Sequence, residues 1–317
     1  DVVAWLSTDA DERAKLLQTR LMRRLGDARF IGRQHELDTL RRGYERACGG
    51  HTTVCHVRGN SGVGKSALIR FFLTELHQET NTLWLRGRCY ERESVPYKAF
   101  DGVVDELARM LRASAELRQE LPRWMPELAQ VFGVLATIPG VDVHEGGSAP
   151  LQPNELRRRA VAGFADLLRR IAETTPLVLF VDDLQWSDFD SVYVFEELLG
   201  EPSPPPLLLL GAYRDEEADT SPLLRAFSGL VVGSAQAPVQ RLEVGALDFA
   251  DARTLAVARL GDLGDDLASA IAEESQGVPF FIDELARYVR SVPEGSWRGV
   301  LQLDEVVRSR VGALPKV

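Results

Sequence analysis

Cysteine and histidine are sparse: the three cysteines form no CxxC pair and the five histidines no HExxH. Such spacing excludes a recognisable structural zinc site or disulfide framework, and a reduced, cytoplasmic chain is expected. No apolar run approaches the roughly 18 residues that a membrane-crossing helix needs, and no signal-peptide pattern is present, so no membrane partner is expected. Positive charge is in deficit too. With 37 Lys and Arg against 47 Asp and Glu, the net charge of −10 argues against coating nucleic acid or anionic lipid by electrostatics alone, and direct nucleic-acid binding is not expected. A local exception runs from Arg13 to Arg46, where ten basic residues meet four acidic ones. A solvated helix face whose arginines pair with carboxylates elsewhere accounts for it. The first residue is Asp1 rather than Met, so the natural N-terminus is expected to lie upstream.

What is present is a chain of 317 residues, 45% of them apolar, enough for a large core. Apolar positions at helical spacing predict helices over 11–26 and 34–48, with Phe30-Ile31-Gly32-Arg33 between them. "TTVCHVRG" reads as a buried strand running into "GNSGVGKS", after which Ala67, Leu68, Phe71, Phe72 and Leu76 predict a helix. Further strands are expected at 82–89, in "PLVLFVDD", in "PPPLLLLGAYR" and in "VQRLEV". Residues 98–135 read as helical, 139–153 as a Gly- and Pro-rich loop, and 154–174 as a long helix. Strands apolar throughout and separated by helices predict an α/β fold with a five-stranded parallel sheet covered on both faces. Beyond Leu247 the strand signal ends. Asp248, then Asp265 or Asp266, are expected to cap two helices, and Pro279 to open a third.

Gly59, four residues, then Gly64-Lys65-Ser66 is the spacing of a phosphate-binding P-loop. Glycines let backbone N–H groups converge on phosphate oxygens, and the helix N-terminus adds its positive dipole end. The loop Gly59, Asn60, Ser61, Gly62, Val63, Gly64, Lys65, Ser66 and Ala67 would therefore hold a nucleoside triphosphate. Lys65 would reach the β- and γ-phosphates and Ser66 the Mg2+. Only four of the 37 basic residues are lysines, so one at the required position is no compositional accident. Asp182, ending an apolar strand, is the second element expected after the P-loop, a carboxylate that orders Mg2+, and Asp183 is the candidate to orient an attacking water. A turn or cap acid fits Asp183 as well. Arg214, ending the next apolar strand, would lie beside the γ-phosphate if that strand neighbours the P-loop strand. Pairing with Asp215 or Glu216 is the plainer role. No NKxD-like motif is present, which disfavours GTP. Glu91 and Glu93 follow a strand at the edge where ligands bind in open sheets, although a solvated loop anchored by Tyr97 and Phe100 explains that stretch too.

With "FIGRQHEL", "GNSGVGKS", "LVLFVDDLQWSD", "LLLLGAYRDE" and "SQGVPFFIDELARYV" in this order, the sequence resembles the STAND class of AAA+-related signalling ATPases. It looks most like the modules fused to bacterial Ser/Thr kinases, adenylate cyclases and LuxR or MalT-type regulators, over about residues 29–315. The resemblance implies a P-loop domain at 29–245 after an N-terminal helical segment (1–28), a helical lid at 246–300, and at 301–317 the start of a winged-helix-like domain. It implies that Phe30, Ile31, Gly32 and Arg33 pack on adenine, with Gln34 in place of the usual acid, and that Pro279 of a GxP motif lies against the base. It further implies ATP or ADP with Mg2+ as ligands, slow hydrolysis coupled to a conformational switch, and effector and sensor domains outside this chain. Nucleotide-dependent self-association is also implied. The rival expectations are an oligomeric ATP-driven remodeller or DNA loader, a non-catalytic ADP-bound scaffold and, more distantly, a metabolic P-loop kinase.

Overall fold

The computed structural model describes residues 30–92, 95–118, 121–142, 151–200, 204–227, 239–261 and 264–291. The helix expected over 11–26, Glu93, the centre of the 139–153 loop and the segment 301–317 lie outside the described residues.

Helix α1 (Gln34–Cys48) leads into β1 (Thr53–Gly59), the glycine loop and α2 (Lys65–Glu79). There follow β2 (Leu83–Arg88), α3 (Lys98–Ala113), α4 (Met125–Val131) and α5 (Pro153–Thr174). Then come β3 (Leu177–Asp182), α6 (Phe189–Gly200), β4 (Leu208–Arg214), the short α7 (Pro222–Phe227) and β5 (Gln240–Glu243). The five strands form one sheet in the order β2-β3-β4-β1-β5, every pairing parallel. The sequence expectation of a parallel α/β sheet is met.

Alternation along the strands divides the apolar residues between two layers. Leu179, Val181 and Leu209 face the layer of α3, α5 and α6, where Phe100 packs against Phe164 and Phe195. Val178, Phe180, Leu208 and Leu210 face α1 and α2, with Leu40 and Phe72. The covered strands read as unbroken apolar runs because both faces are filled.

The stretch 98–135 is not one helix. Helix α3 ends at Ala113, α4 begins only at Met125 with Pro126 in its first turn, and a 3-10 turn occupies Gly133–Thr137. Proline is tolerated in a first helical turn but cannot continue a helix that already needs its N–H, so the break falls upstream of it.

After β5, α8 (Phe249–Leu260), α9 (Asp265–Glu274) and α10 (Pro279–Ser291) enclose their own apolar cluster around Ile271, Ile282 and Leu285. Asp248 caps α8 by accepting from the Asp251 N–H at 2.8 Å. The cap of α9 is Gly264 rather than an aspartate. Asp265 is already helical and pairs with Arg253 at 2.8 Å, where a first-turn acid favours the helix dipole. Among the described residues no helix is long and apolar enough to cross a membrane.

His56 of β1 lies buried, edge-on to Tyr213 of β4. Burial, helped by the charge of Arg241, holds its pKa down to about 4. An unfolded imidazole titrates near 6.5, so below that pH the unfolded chain binds a proton that the folded chain refuses. Stability from this residue is complete above pH 6.5 and declines as pH falls towards 4, by up to about 3 kcal/mol. Urea unfolding at pH 7.5 and 4.5 should show a smaller drop for His56→Gln than for wild type.

Candidate functional site

Parallel strands end on one edge, and the strand order sets which ends are neighbours. Gly59 of β1 pairs in register with Arg214 of β4, and Arg88 of β2 with Asp182 of β3. β4 lies between β1 and β3, so Arg214 emerges between the glycine loop and the two aspartates.

The loop leaves β1 at Gly59, is anchored by buried Val63, and enters α2 at Lys65. The Lys65 ammonium donates to the carbonyls of Gly59 at 2.7 Å and Asn60 at 2.8 Å. Its burial pushes its pKa below the ordinary lysine value, against the opposing pull of Glu216. Asn60 and Ala67 are exposed at either end of the loop.

Asp182 is 5% exposed and accepts from Ser66 Oγ at 3.0 Å, with Arg86 at 3.7 Å from its other oxygen. Burial, and then the charge of Asp183, push its pKa above the usual carboxylate value. Ser66 and Asp182 thus present two adjacent oxygens, a donor set suited to Mg2+, whose remaining positions would fall to phosphate and water. No cluster of three or more His, Cys, Asp and Glu that could hold a metal by itself exists among the described residues.

Asp183 takes the left-handed backbone conformation (φ 57°), tolerated by Asp better than by most residues. The turn directs its carboxylate to Arg88, whose Nε and Nη2 both lie 3.0 Å from Oδ2. Its Oδ1 accepts from Gln185 Nε2 at 3.1 Å and stands 3.9 Å from Arg214 Nε. Gln185, buried, also accepts the Arg214 N–H at 3.2 Å and so ties the two strand ends together. The Arg214 guanidinium lies over Trp186 at 4.9 Å and reaches Glu217 at 3.3 Å. Its ion pairs are with Asp183 and Glu217, whereas Asp215 pairs with Arg58 at 3.6 Å and Glu216 accepts the Ser61 N–H at 3.1 Å.

On the other side of the loop, Phe30 stacks on Phe71 of α2 at 4.5 Å, and Ile31 packs on the helical cluster after β5. Arg33 donates to the carbonyls of Val63 and Gly245. It joins the segment before α1 to both the glycine loop and the exit from β5. The Phe280 N–H donates to the Gly62 carbonyl at 3.2 Å, and a Cβ on Gly62 would stand 2.9 Å from the Phe280 Cβ. Pro279 flanks Gly64.

The structure brings Gly59–Ser66, Asp182, Asp183, Arg214, Arg33 and Pro279 to one edge. Beside it, Phe30 joins the layer of α1 and α2, and Ile31 the helical cluster after β5. Glu91 lies exposed in the turn after β2 and joins nothing here. Arg88 and Gln185 escaped sequence reasoning. Gln185 stands in "DDLQW", two residues after Asp183, where a side chain of its length can return to the strand end. Arg88 carries no local signal, because only strand pairing sets it beside Asp182.

Residues 29–210 match the family model described as AAA ATPase domain. An uncharacterised protein of Rhizobium meliloti is 25% identical over 276 residues, 82% of this chain and 25% of its own length. The hybrid signal transduction histidine kinase G of Dictyostelium discoideum is 28% identical over 179 residues, 54% of this chain and 5% of its own length. The chain therefore spans a quarter or less of these relatives. A STAND protein with a tetratricopeptide repeat sensor from Pyrococcus horikoshii aligns with TM-score 0.46 and 14% identity over 90% of this chain and 33% of that one.

Gly277, just before Pro279, holds φ +74°, and a Cβ there would meet the Leu247 carbonyl oxygen at 2.1 Å. Gly261 has a similar φ of +65° but open space around it. Gly277→Ala should destabilise by more than Gly261→Ala, which meets only backbone strain of about 1–3 kcal/mol. Thermal unfolding of the two variants against wild type measures the difference.

Proposed function

The chain belongs to the AAA ATPase domain family, and on that premise we propose that it is a signalling ATPase module that binds ATP or ADP with Mg2+ and hydrolyses ATP slowly to set a conformational switch. Lys65 and the loop amides from Gly59 to Ser66 hold the phosphates. Ser66 and Asp182 hold Mg2+, which when bound neutralises charge on the phosphate oxygens. Asp183 orients water, Arg214 reads the terminal phosphate, and Phe30, Ile31, Gly32, Arg33 and Pro279 enclose the base. Further domains in the same polypeptide, as in relatives of much greater length, supply signal and output.

The observation that carries this proposal is the contact of Phe280, at the start of α10, with the loop itself at Gly62. A ligand on the loop therefore bears directly on the helices after β5, which is what a nucleotide-biased two-state element requires. Slow turnover is supported by the double Arg88 contact on Asp183, which must loosen before that carboxylate can turn to a water. The same contact favours, as the second reading, a scaffold that holds ADP without catalysis.

Denaturing the purified chain and identifying the released nucleotide by chromatography, alongside ATP turnover, tests both. Bound ADP is expected, with slow turnover that Asp183→Asn lowers by at least about 100-fold and Lys65→Ala abolishes together with binding. ADP with no turnover in wild type would favour the scaffold. Fast turnover that rises with protein concentration would instead point to an oligomeric remodeller.

A further inference from the structure

The 3-10 turn Asp215–Thr220 after β4 runs beside the glycine loop because β4 pairs with β1 through Gly59 and Arg214. Its first residue is drawn to the outer side, where Asp215 pairs with Arg58, and its third to Arg214, through Glu217. The residue between them, Glu216, reaches the loop and accepts the Ser61 N–H at 3.1 Å. Asp215 and Glu217 thereby fix the position of Glu216, although its side chain is exposed.

A carboxylate at that place shares the electrostatic surroundings of a terminal phosphate. It takes a loop amide, and it lies in the fields of Lys65 and Arg214, the two cations assigned above to the β- and γ-phosphates. Hydrogen bonds from its own N–H and from Ser61 hold its pKa below the usual glutamate value, so it is an anion at neutral pH.

We propose that Glu216 is a specificity residue that discriminates against the triphosphate: it occupies the Ser61 amide and shares Lys65 and Arg214, and a third phosphate must displace it. This inference rests on the nucleotide reading above. A diphosphate ends before Arg214 and leaves the contact in place, whereas a triphosphate brings a second anion against an ionised carboxylate that already draws on Lys65 and Arg214. Like charges at contact distance repel, and the carboxylate must lose its amide partner before the γ-phosphate gains it. Glu216 thus sets the ratio of ADP to ATP affinity without touching the base or the inner phosphates.

Competition of ADP and of a non-hydrolysable ATP analogue, each with Mg2+, against a fluorescent ADP analogue provides the test on wild type, Glu216→Gln and Glu243→Gln. The last removes an equal charge from the same end of the sheet, at an exposed glutamate paired with Arg58. Glu216→Gln should tighten the triphosphate by about tenfold and leave ADP within about twofold, while Glu243→Gln leaves the ratio unchanged. An unchanged ratio in Glu216→Gln, or an equal shift in Glu243→Gln, overturns this role for Glu216 while leaving nucleotide binding intact. Wild type that binds neither nucleotide overturns the nucleotide reading and this inference together.

Discussion

Parallel pairing delivers the carboxyl ends of strands to one edge, and here β4 is inserted between the strand that ends in the glycine loop and the strand that ends in Asp182. Each further feature of the site depends on that insertion. It sets Arg214 level with Gly59, lays Asp215 to Glu217 along the loop, and leaves β2 beside β3 so that Arg88 reaches Asp183. The two apolar layers that cover the sheet hold this order, since strands that are apolar on both faces must lie between the two helix layers.

The edge so assembled is crowded with charge of both signs. Two of its members are pushed towards neutrality by burial: the lysine pKa falls and the Asp182 pKa rises. An anion beside Lys65 and a cation beside Asp182 would each offset a desolvation cost that the fold already bears. Magnesium with a phosphate chain is a ligand that supplies both at once. The arginines around Asp183 play a different part, because they satisfy that carboxylate and hold it in one orientation.

Coupling between the loop and the helices after β5 uses backbone as well as side chains. Phe280 donates to Gly62, Leu247 donates to Gly277, and Arg33 accounts for two further carbonyls on either side of the junction. Such approaches require glycine at Gly62 and Gly277, where a methyl group would collide with a neighbouring residue. A contact made through main-chain groups is sensitive to small displacements of the loop, which suits an element that responds to what the loop holds.

Periodicity and spacing alone determined the run of strands, the P-loop, the acids that end β3 and the arginine that ends β4, because each is written in contiguous residues. An apolar strand covered on both faces needs an unbroken apolar segment, and a loop that cradles phosphate needs glycines at fixed intervals. Local signals failed where two outcomes share one composition: Gly264 rather than an aspartate caps α9, and the described residues between α3 and α4 are not helical despite their helical character in sequence. Only the tertiary structure decided that Arg88 serves Asp183, that Gln185 bridges to Arg214, and that Glu216 rather than Glu217 meets the loop. Those partners lie on different strands or turn by a single residue at a strand end, and strand order and register, which are set by the burial of the whole sheet, choose among them.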